Sequence, residues 1–222
     1  MKTALVIGAT GLVGTQLVQQ LLADDRFSKV IVFGRRPLGI ANPKLEEHLI
    51  DFDKPEAWQQ LVKGDVFFSS LGTTLKQAGG QSQQYKVDYF YQYKFAEIAA
   101  QNGVPAYVLV SSSGANKDSM IFYSRMKGTL EEAVKKLGFQ SINIIQPGLL
   151  HGDRKEERFG EELAYIVMHF LDRVGIAGKY RPYEDKVVAR AMINAGIAAQ
   201  PGVHTYTLGD IFKLAEREHL SR

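Results

Sequence analysis

Residues 1–14 read Met1-Lys2-Thr3-Ala4-Leu5-Val6-Ile7-Gly8-Ala9-Thr10-Gly11-Leu12-Val13-Gly14, and their reading decides the fold. A short apolar run, Ala4 to Ile7, enters three regularly spaced glycines, and an amphipathic stretch from Leu12 to Leu22 follows at once. Strand, tight turn and helix start, in that order, form the layout that cradles a dinucleotide pyrophosphate. Gly8 can take the dihedrals of a sharp turn, Gly11 lets the backbone approach the phosphates, and Gly14 lets the helix lie close on the strand. Ala9, Thr10, Leu12 and Val13 complete the candidate cofactor-binding turn. The free N–H groups and positive dipole end of the helix would then face the phosphates.

Beyond this start, apolar runs continue to alternate with helical patterns. Strands are expected over 3–7, 29–33, 66–69, 106–111 and 142–145, with a weaker one over 47–50. Most are continuous apolar runs, as parallel strands covered on both faces should be. Helices are expected over 11–23, 56–62, 84–102 and 122–137, with Asn102-Gly103 and Gly138 as stops. The alternation predicts an α/β fold, a Rossmann-like doubly wound parallel sheet flanked by helices. After Pro147-Gly148 the pattern changes to helices over 161–174 and 184–199 around an irregular 175–183, then a strand over 205–208 and a helix over 211–219. This reads as a small C-terminal extension, about 149–222, on the substrate side of one NAD(P)-binding domain spanning 1–222.

Composition narrows the class. A chain of 222 residues should bury about 70% of its unfolded surface and needs no staples. It has no Cys, which excludes disulfides, a thiol nucleophile and cysteine-ligated metals. The five His residues show no metal-ligand spacing, so no metal is expected. The net charge of +3 is slight, and basic pairs such as Lys135-Lys136 lie beside acidic ones such as Glu131-Glu132. That pattern marks solvated faces rather than a nucleic-acid surface. The apolar N-terminal run is broken by Gly8, Thr10 and Gly11, and no run reaches the length of a membrane span. The expectation is a cytoplasmic protein with no membrane partner.

The end of the second strand bears on the choice of dinucleotide. A carboxylate there would bond the ribose 2′-hydroxyl, whereas an arginine accepts a 2′-phosphate. The sequence reads Phe33-Gly34-Arg35-Arg36 with no acid nearby, which favours NADP(H); exposed loop charges are the alternative. Asp51-Phe52 closes the third strand. Asp51 could accept from the adenine amino group while Phe52 packs on the ring, and a plain loop acid is the competing reading.

Val110-Ser111-Ser112-Ser113-Gly114 closes a central strand, Tyr123 follows, and Lys127 stands four residues further on. Tyr and Lys at that spacing share a helix face. A nearby cation favours the phenolate and can lower a tyrosine from about 10 by roughly 1–3 units. A tuned phenol can exchange a proton with a carbonyl or alcohol oxygen while a strand-end serine holds that oxygen. The candidate catalytic set is therefore Ser112, Tyr123 and Lys127, with Ser113 as the competitor of Ser112.

Together, the glycine run, Leu71-Gly72-Thr73-Thr74, Ser111 to Gly114, Tyr123/Lys127 and Gln146-Pro147-Gly148 resemble the short-chain dehydrogenase/reductase superfamily in its atypical, NAD(P)-binding branch. Gly34-Arg35-Arg36, Ala78-Gly79, Lys127-Gly128 and Gly152-Asp153-Arg154 add a narrower resemblance to bacterial relatives of the human Tat-interacting protein, an oxidoreductase-like NADPH binder. The resemblance implies Tyr123 as acid/base and Lys127 on the nicotinamide ribose. It also implies Leu71, Gly72 and Thr73 lining the cofactor, with Pro147 and Gly148 at its nicotinamide end. Leu-Gly-Thr-Thr replaces the Asn-Asn-Ala-Gly of typical members, and the serine-to-tyrosine gap is short. The activity implied is hydride transfer to or from a small carbonyl or alcohol of unknown identity. A non-catalytic NADPH-responsive regulatory protein and a nucleotide-sugar epimerase-like enzyme are the alternatives. The aromatics of 84–102 leave a homodimer or protein partner open, although packing accounts for any one of them.

Overall fold

The computed structural model describes residues 1–148, 150–151 and 183–216. The helix expected over 161–174, Gly152-Asp153-Arg154 and most of the irregular 175–183 stretch lie outside them. The first strand, β1 (Lys2–Ile7), leads into helix α1 (Leu12–Ala23); β2 (Phe27–Gly34), β3 (Leu45–Leu49) and β4 (Val66–Ser69) follow. Next come a short α2 (Leu75–Ala78), α3 (Gln81–Tyr85), a π-helical turn (Lys86–Tyr91) and α4 (Gln92–Gln101). Then follow β5 (Ala106–Val110), α5 (Phe122–Val134), β6 (Ser141–Gln146), β7 (Leu150–His151), β8 (Tyr183–Glu184), α6 (Asp185–Ala198), β9 (Gly202–Thr207) and α7 (Leu208–Glu216).

Seven strands form one sheet in the order β3-β2-β1-β4-β5-β6-β9, every neighbour parallel. The expected Rossmann-like α/β sheet is therefore present. The chain first builds outward from β1 through β2 to β3, then crosses to β4 and builds the other way. The sheet's switch point thus lies between β1 and β4, where such folds hold ligands beyond the strands' carboxyl ends. β7 and β8 form a separate two-stranded parallel pair.

The apolar runs explain why the sheet is covered on both sides. Side chains alternate across a strand, so β1 gives Ala4 and Val6 to one core and Leu5 and Ile7 to the other, all four fully buried. The first core is closed by α1, α6 and α7 through Leu17, Leu21, Val188, Met192, Ile211 and Leu214. The second is aromatic: Phe67, Phe95, Trp58 and Tyr107 stack in series at centroid distances of 4.9–5.0 Å. On the first side Gly196 of α6 lies so close to the sheet that a Cβ would fall 2.7 Å from Val66 Cγ1.

Some expected elements differ. Residues 56–62 form two single 3₁₀ turns, Pro55–Ala57 and Gln59–Leu61, instead of a helix. Trp58 separates them, because its ring stacks on Phe95 and its Nε1 donates to the Asp51 carbonyl at 2.9 Å. The long helix begins at Gln81 rather than 84 and passes through the π-helical turn. The last strand ends at Thr207 because Leu208, at φ +36°, already opens α7.

Candidate functional site

The cofactor turn takes the form its glycines require. Gly8 adopts φ +83°, and Gly11 N–H donates to the Gly8 carbonyl at 2.9 Å. A Cβ at Gly8 would fall 2.3 Å from the Leu71 nitrogen, and one at Gly14 would fall 2.0 Å from the Gly8 oxygen. Gly14 is thus the close-approach position between α1 and its turn. No side chain caps the N-terminus of α1, which leaves its first-turn amides aimed past the carboxyl end of β1. Val13 and Ala9 are buried in the core, so they could meet a ligand through backbone only, whereas Thr10 is exposed.

A cleft opens above the ends of β1, β2 and β4. Gly8, Ala9, Thr10, Gly34, Arg35, Arg36, Leu38, Phe52 and Leu71 line it. The structure therefore joins the glycine turn, both arginines, Phe52 and Leu71, which come from four separate stretches of sequence. Arg35 and Arg36 are exposed, and Phe52 is buried against Tyr91 (5.1 Å, stacked) and Trp58. Asp51 departs from its expected place. It does not line this cleft; it is exposed, and its Oδ1 accepts the Asp53 N–H at 3.0 Å within its own loop. An uncapped helix start, an open cleft and two unburied guanidinium groups fit a nicotinamide dinucleotide.

Further along the sheet edge, Ser112, Tyr123 and Lys127 lie near one another. Lys127 Nζ lies 5.8 Å from the Tyr123 ring centroid. Ser112 approaches the Tyr123 phenol, and its own hydroxyl is turned to the Ser113 carbonyl at 3.3 Å. The two neighbouring serines are used otherwise. Ser111 Oγ donates to the buried Glu131 carboxylate, which also accepts Gln146 Nε2 at 2.9 and 3.0 Å. Ser113 N–H donates to the Pro147 carbonyl at 2.9 Å, tying the strand end to the buried Pro147-Gly148. The short serine-to-tyrosine gap is accommodated by Gly128: a Cβ there would fall 2.3 Å from Lys117 N, so the loop lies directly on α5.

The sequence did not reveal Asp88. This residue of the π-helical turn is 1% exposed, and its Oδ1 stands 3.2 Å from Lys127 Nζ. Its Oδ2 accepts the Thr73 N–H at 2.8 Å. Gln84 donates to the Thr73 carbonyl at 3.3 Å, while Gln92 donates to the Asp88 carbonyl at 2.7 Å and accepts from Ser69 at 2.7 Å. Gln84, Asp88 and Gln92 are four apart and all buried, a polar stripe on an otherwise aromatic helix. That spacing was the signal available. The stripe grips the loop after β4, and Gly72 fits beside it, where a Cβ would come 3.3 Å from Asp88 Oδ1.

This pairing corrects the expected tuning of Tyr123. Burial, reinforced by the Asp88 charge, holds the phenol above its ordinary value, and Lys127 only partly offsets them. Lys127 is itself held above the ordinary lysine value: burial opposes this, but Tyr123 and Asp88 outweigh it. Burial likewise raises Asp88 and Glu131 above the carboxylate range, against the pull of Lys127 and of their hydrogen bonds.

The sequence and the fold that carry this site are similar to those of known proteins. The model of the NAD(P)H-binding family matches residues 8–161. The chain belongs to that family. Among its relatives, the mitochondrial protein fmp52-1 of Aspergillus terreus is 38% identical over 211 residues, covering 91% of this chain and 90% of that one. The mitochondrial protein fmp52 of Aspergillus fumigatus is 37% identical over 216 residues, with 91% and 90% covered. Among solved structures, a short-chain dehydrogenase/reductase superfamily protein from Agrobacterium tumefaciens with bound NAD aligns over 96% of this chain and 80% of its own, at a TM-score of 0.68 and 16% identity. That likeness establishes the shared fold. The names of the fungal relatives overturn the cytoplasmic expectation, which rested on the broken apolar run at the N-terminus.

Proposed function

We propose that this NAD(P)H-binding protein is an NADP(H)-dependent oxidoreductase of the atypical short-chain dehydrogenase/reductase type, acting on a small carbonyl or alcohol. The observation that carries this reading is the convergence of Ser112, Tyr123 and Lys127 at the carboxyl edge of the sheet that also bears the glycine cleft. Bound dinucleotide would supply or accept the hydride. The chain's own groups do the remaining work. Arg35 and Arg36 would grip a 2′-phosphate with charge-assisted bonds. The turn from Gly8 to Gly14 would seat the pyrophosphate, while Leu71, Gly72 and Thr73 border the cofactor and Pro147-Gly148 its nicotinamide end. Ser112 would hold the substrate oxygen, and Tyr123 would exchange a proton with it. The names of the fungal relatives favour work in the mitochondrion.

Titration with NADPH and NADH, for wild type and Arg35→Asp, tests the cofactor half. Wild type is expected to prefer NADPH, and the variant to lose about ten- to a hundredfold in NADPH affinity while keeping NADH; equal wild-type affinities refute the preference. A carbonyl screen with Tyr123→Phe tests the chemistry. The variant should lose about 10²–10⁴-fold in turnover at unchanged cofactor affinity. Equal activity of Tyr123→Phe and wild type removes Tyr123 from its role.

A further inference from the structure

Tyr123, Lys127 and Glu131 stand four apart on α5 and share one stripe of it. The first two belong to the reaction proposed for the site; Glu131 has no part in it. Glu131 is 5% exposed, and its carboxylate takes hydrogen bonds from two strand ends. The Ser111 hydroxyl donates from the end of β5, and Gln146 Nε2 donates from the end of β6 at 2.9 and 3.0 Å. Among the described residues, the Gln146 bonds are the hydrogen bonds that side chains of α5 make to β6. β5 ends at Val110 and β6 at Gln146, so the strand ladder stops setting the spacing here. Ser112 follows Ser111 directly, and Pro147-Gly148 follows Gln146 directly. The Ser113 N–H to Pro147 carbonyl bond, at 2.9 Å, joins these two segments to each other but leaves their distance from the helix unset. The Glu131 carboxylate supplies that third side. A buried acid suffers a desolvation cost that an apolar side chain of similar size avoids. Orientation accounts for the acid better than stability does, since its oxygens accept from both strand ends and a hydrocarbon chain accepts from neither.

We propose that Glu131 is a positioning residue whose carboxylate ties the helix bearing Tyr123 and Lys127 to the strand ends that lead into Ser112 and Pro147-Gly148, and so sets the spacing of the nicotinamide end of the site while leaving the adenosine end untouched. This rests on the dinucleotide reading above. The adenosine end is built from other stretches: the glycine turn, Arg35, Arg36 and Phe52 line the cleft, and neither Glu131, Ser111 nor Gln146 does. Loss of the tie therefore loosens a bound dinucleotide at one end only.

The test is calorimetric titration with two probes: NADPH, and adenosine 2′,5′-bisphosphate, which keeps the adenosine end and lacks the nicotinamide. Neither measurement needs a substrate or turnover. Wild type is expected to bind NADPH more tightly than the bisphosphate. Glu131→Met, similar in size but unable to accept, is expected to lose about three- to tenfold in NADPH affinity, the worth of one displaced hydrogen-bonded contact, with bisphosphate affinity unchanged. Glu131→Gln, which keeps an accepting oxygen, should bind both probes as wild type does. A merely structural role would weaken both probes together or neither, so either result in Glu131→Met overturns the proposal. If Glu131→Met does not fold, Gln146→Met breaks one arm of the tie at a half-buried position. It should show the same selective loss, and equal discrimination there is equally decisive. A wild type that binds the two probes alike fails differently: it refutes the nicotinamide-end assignment beneath the proposal, and one that binds neither refutes the dinucleotide reading itself.

Discussion

The two ends of the site are built from different materials. At the dinucleotide cleft the work is done by backbone: a left-handed Gly8, a helix start without a side-chain cap, and Gly14 pressed on the Gly8 oxygen. At the tyrosine end it is done by buried charge. Asp88, Lys127 and Glu131 are each at most 5% exposed and come from two different helical segments. Backbone geometry tolerates no added atom but costs little desolvation. Buried charge tolerates some change of shape but no loss of a partner. The two ends should therefore fail in different ways when altered.

The largest effect is expected at Lys127. Lys127→Met strands the Asp88 carboxylate, and a loss of about 3–5 kcal/mol at pH 7 is expected from denaturant unfolding. Adding Asp88→Asn to it should recover most of that loss, since Asn can still accept from Thr73. A double variant no more stable than Lys127→Met would show that the fragility of this end is not one of charge. At the other end, Gly14→Ala should cost about 1–3 kcal/mol and abolish detectable dinucleotide binding, because the methyl group meets backbone that cannot step aside. No second substitution at a charged residue should rescue it. Normal binding by Gly14→Ala, measured by calorimetry, would break the contrast.

The smallest expected effect concerns Glu131 and has a definite sign in pH. A carboxyl raised by burial contributes stability that is complete below its unfolded value and lost as pH rises through its folded one. Where Glu131 is ionised in the folded protein, its burial is therefore a cost. Glu131→Gln keeps an oxygen for Ser111 and Gln146, so it should melt at or above the wild-type temperature at pH 7, with the advantage shrinking as pH falls to 4. An advantage that grows on acidification would reverse the assignment.

This contrast also explains what could be read in the sequence. Glycines advertise backbone demands locally, so Gly8, Gly11 and Gly14 disclosed the cleft, and continuous apolar runs disclosed the central strands. Tyr123 and Lys127 were legible because one helix turn joins them. Asp88 was not, because its partner lies on another helix and its neighbours Tyr89, Phe90 and Tyr91 drew attention to packing. Lys127 does draw the phenol down as read, but burial and the Asp88 charge outweigh it. The stretch 56–62 misled for a related reason: its composition suits a helix, but Trp58 is claimed by Phe95 and the Asp51 carbonyl, contacts that no local pattern encodes. Arg35 and Arg36 line the cleft, whereas Asp51 is exposed and bonded within its own loop.

The placement of α6 governs the order in which the molecule can be assembled. Val188, Ala189, Ala191, Met192, Ile193 and Ala195 are at most 1% exposed, and they complete the same core that receives Ala4 and Val6 of the first strand. α1 covers part of that face with Leu17 and Leu21, and residues 185–198 complete the cover from far along the chain. These contacts span most of the chain, and long-range closure of this kind slows folding.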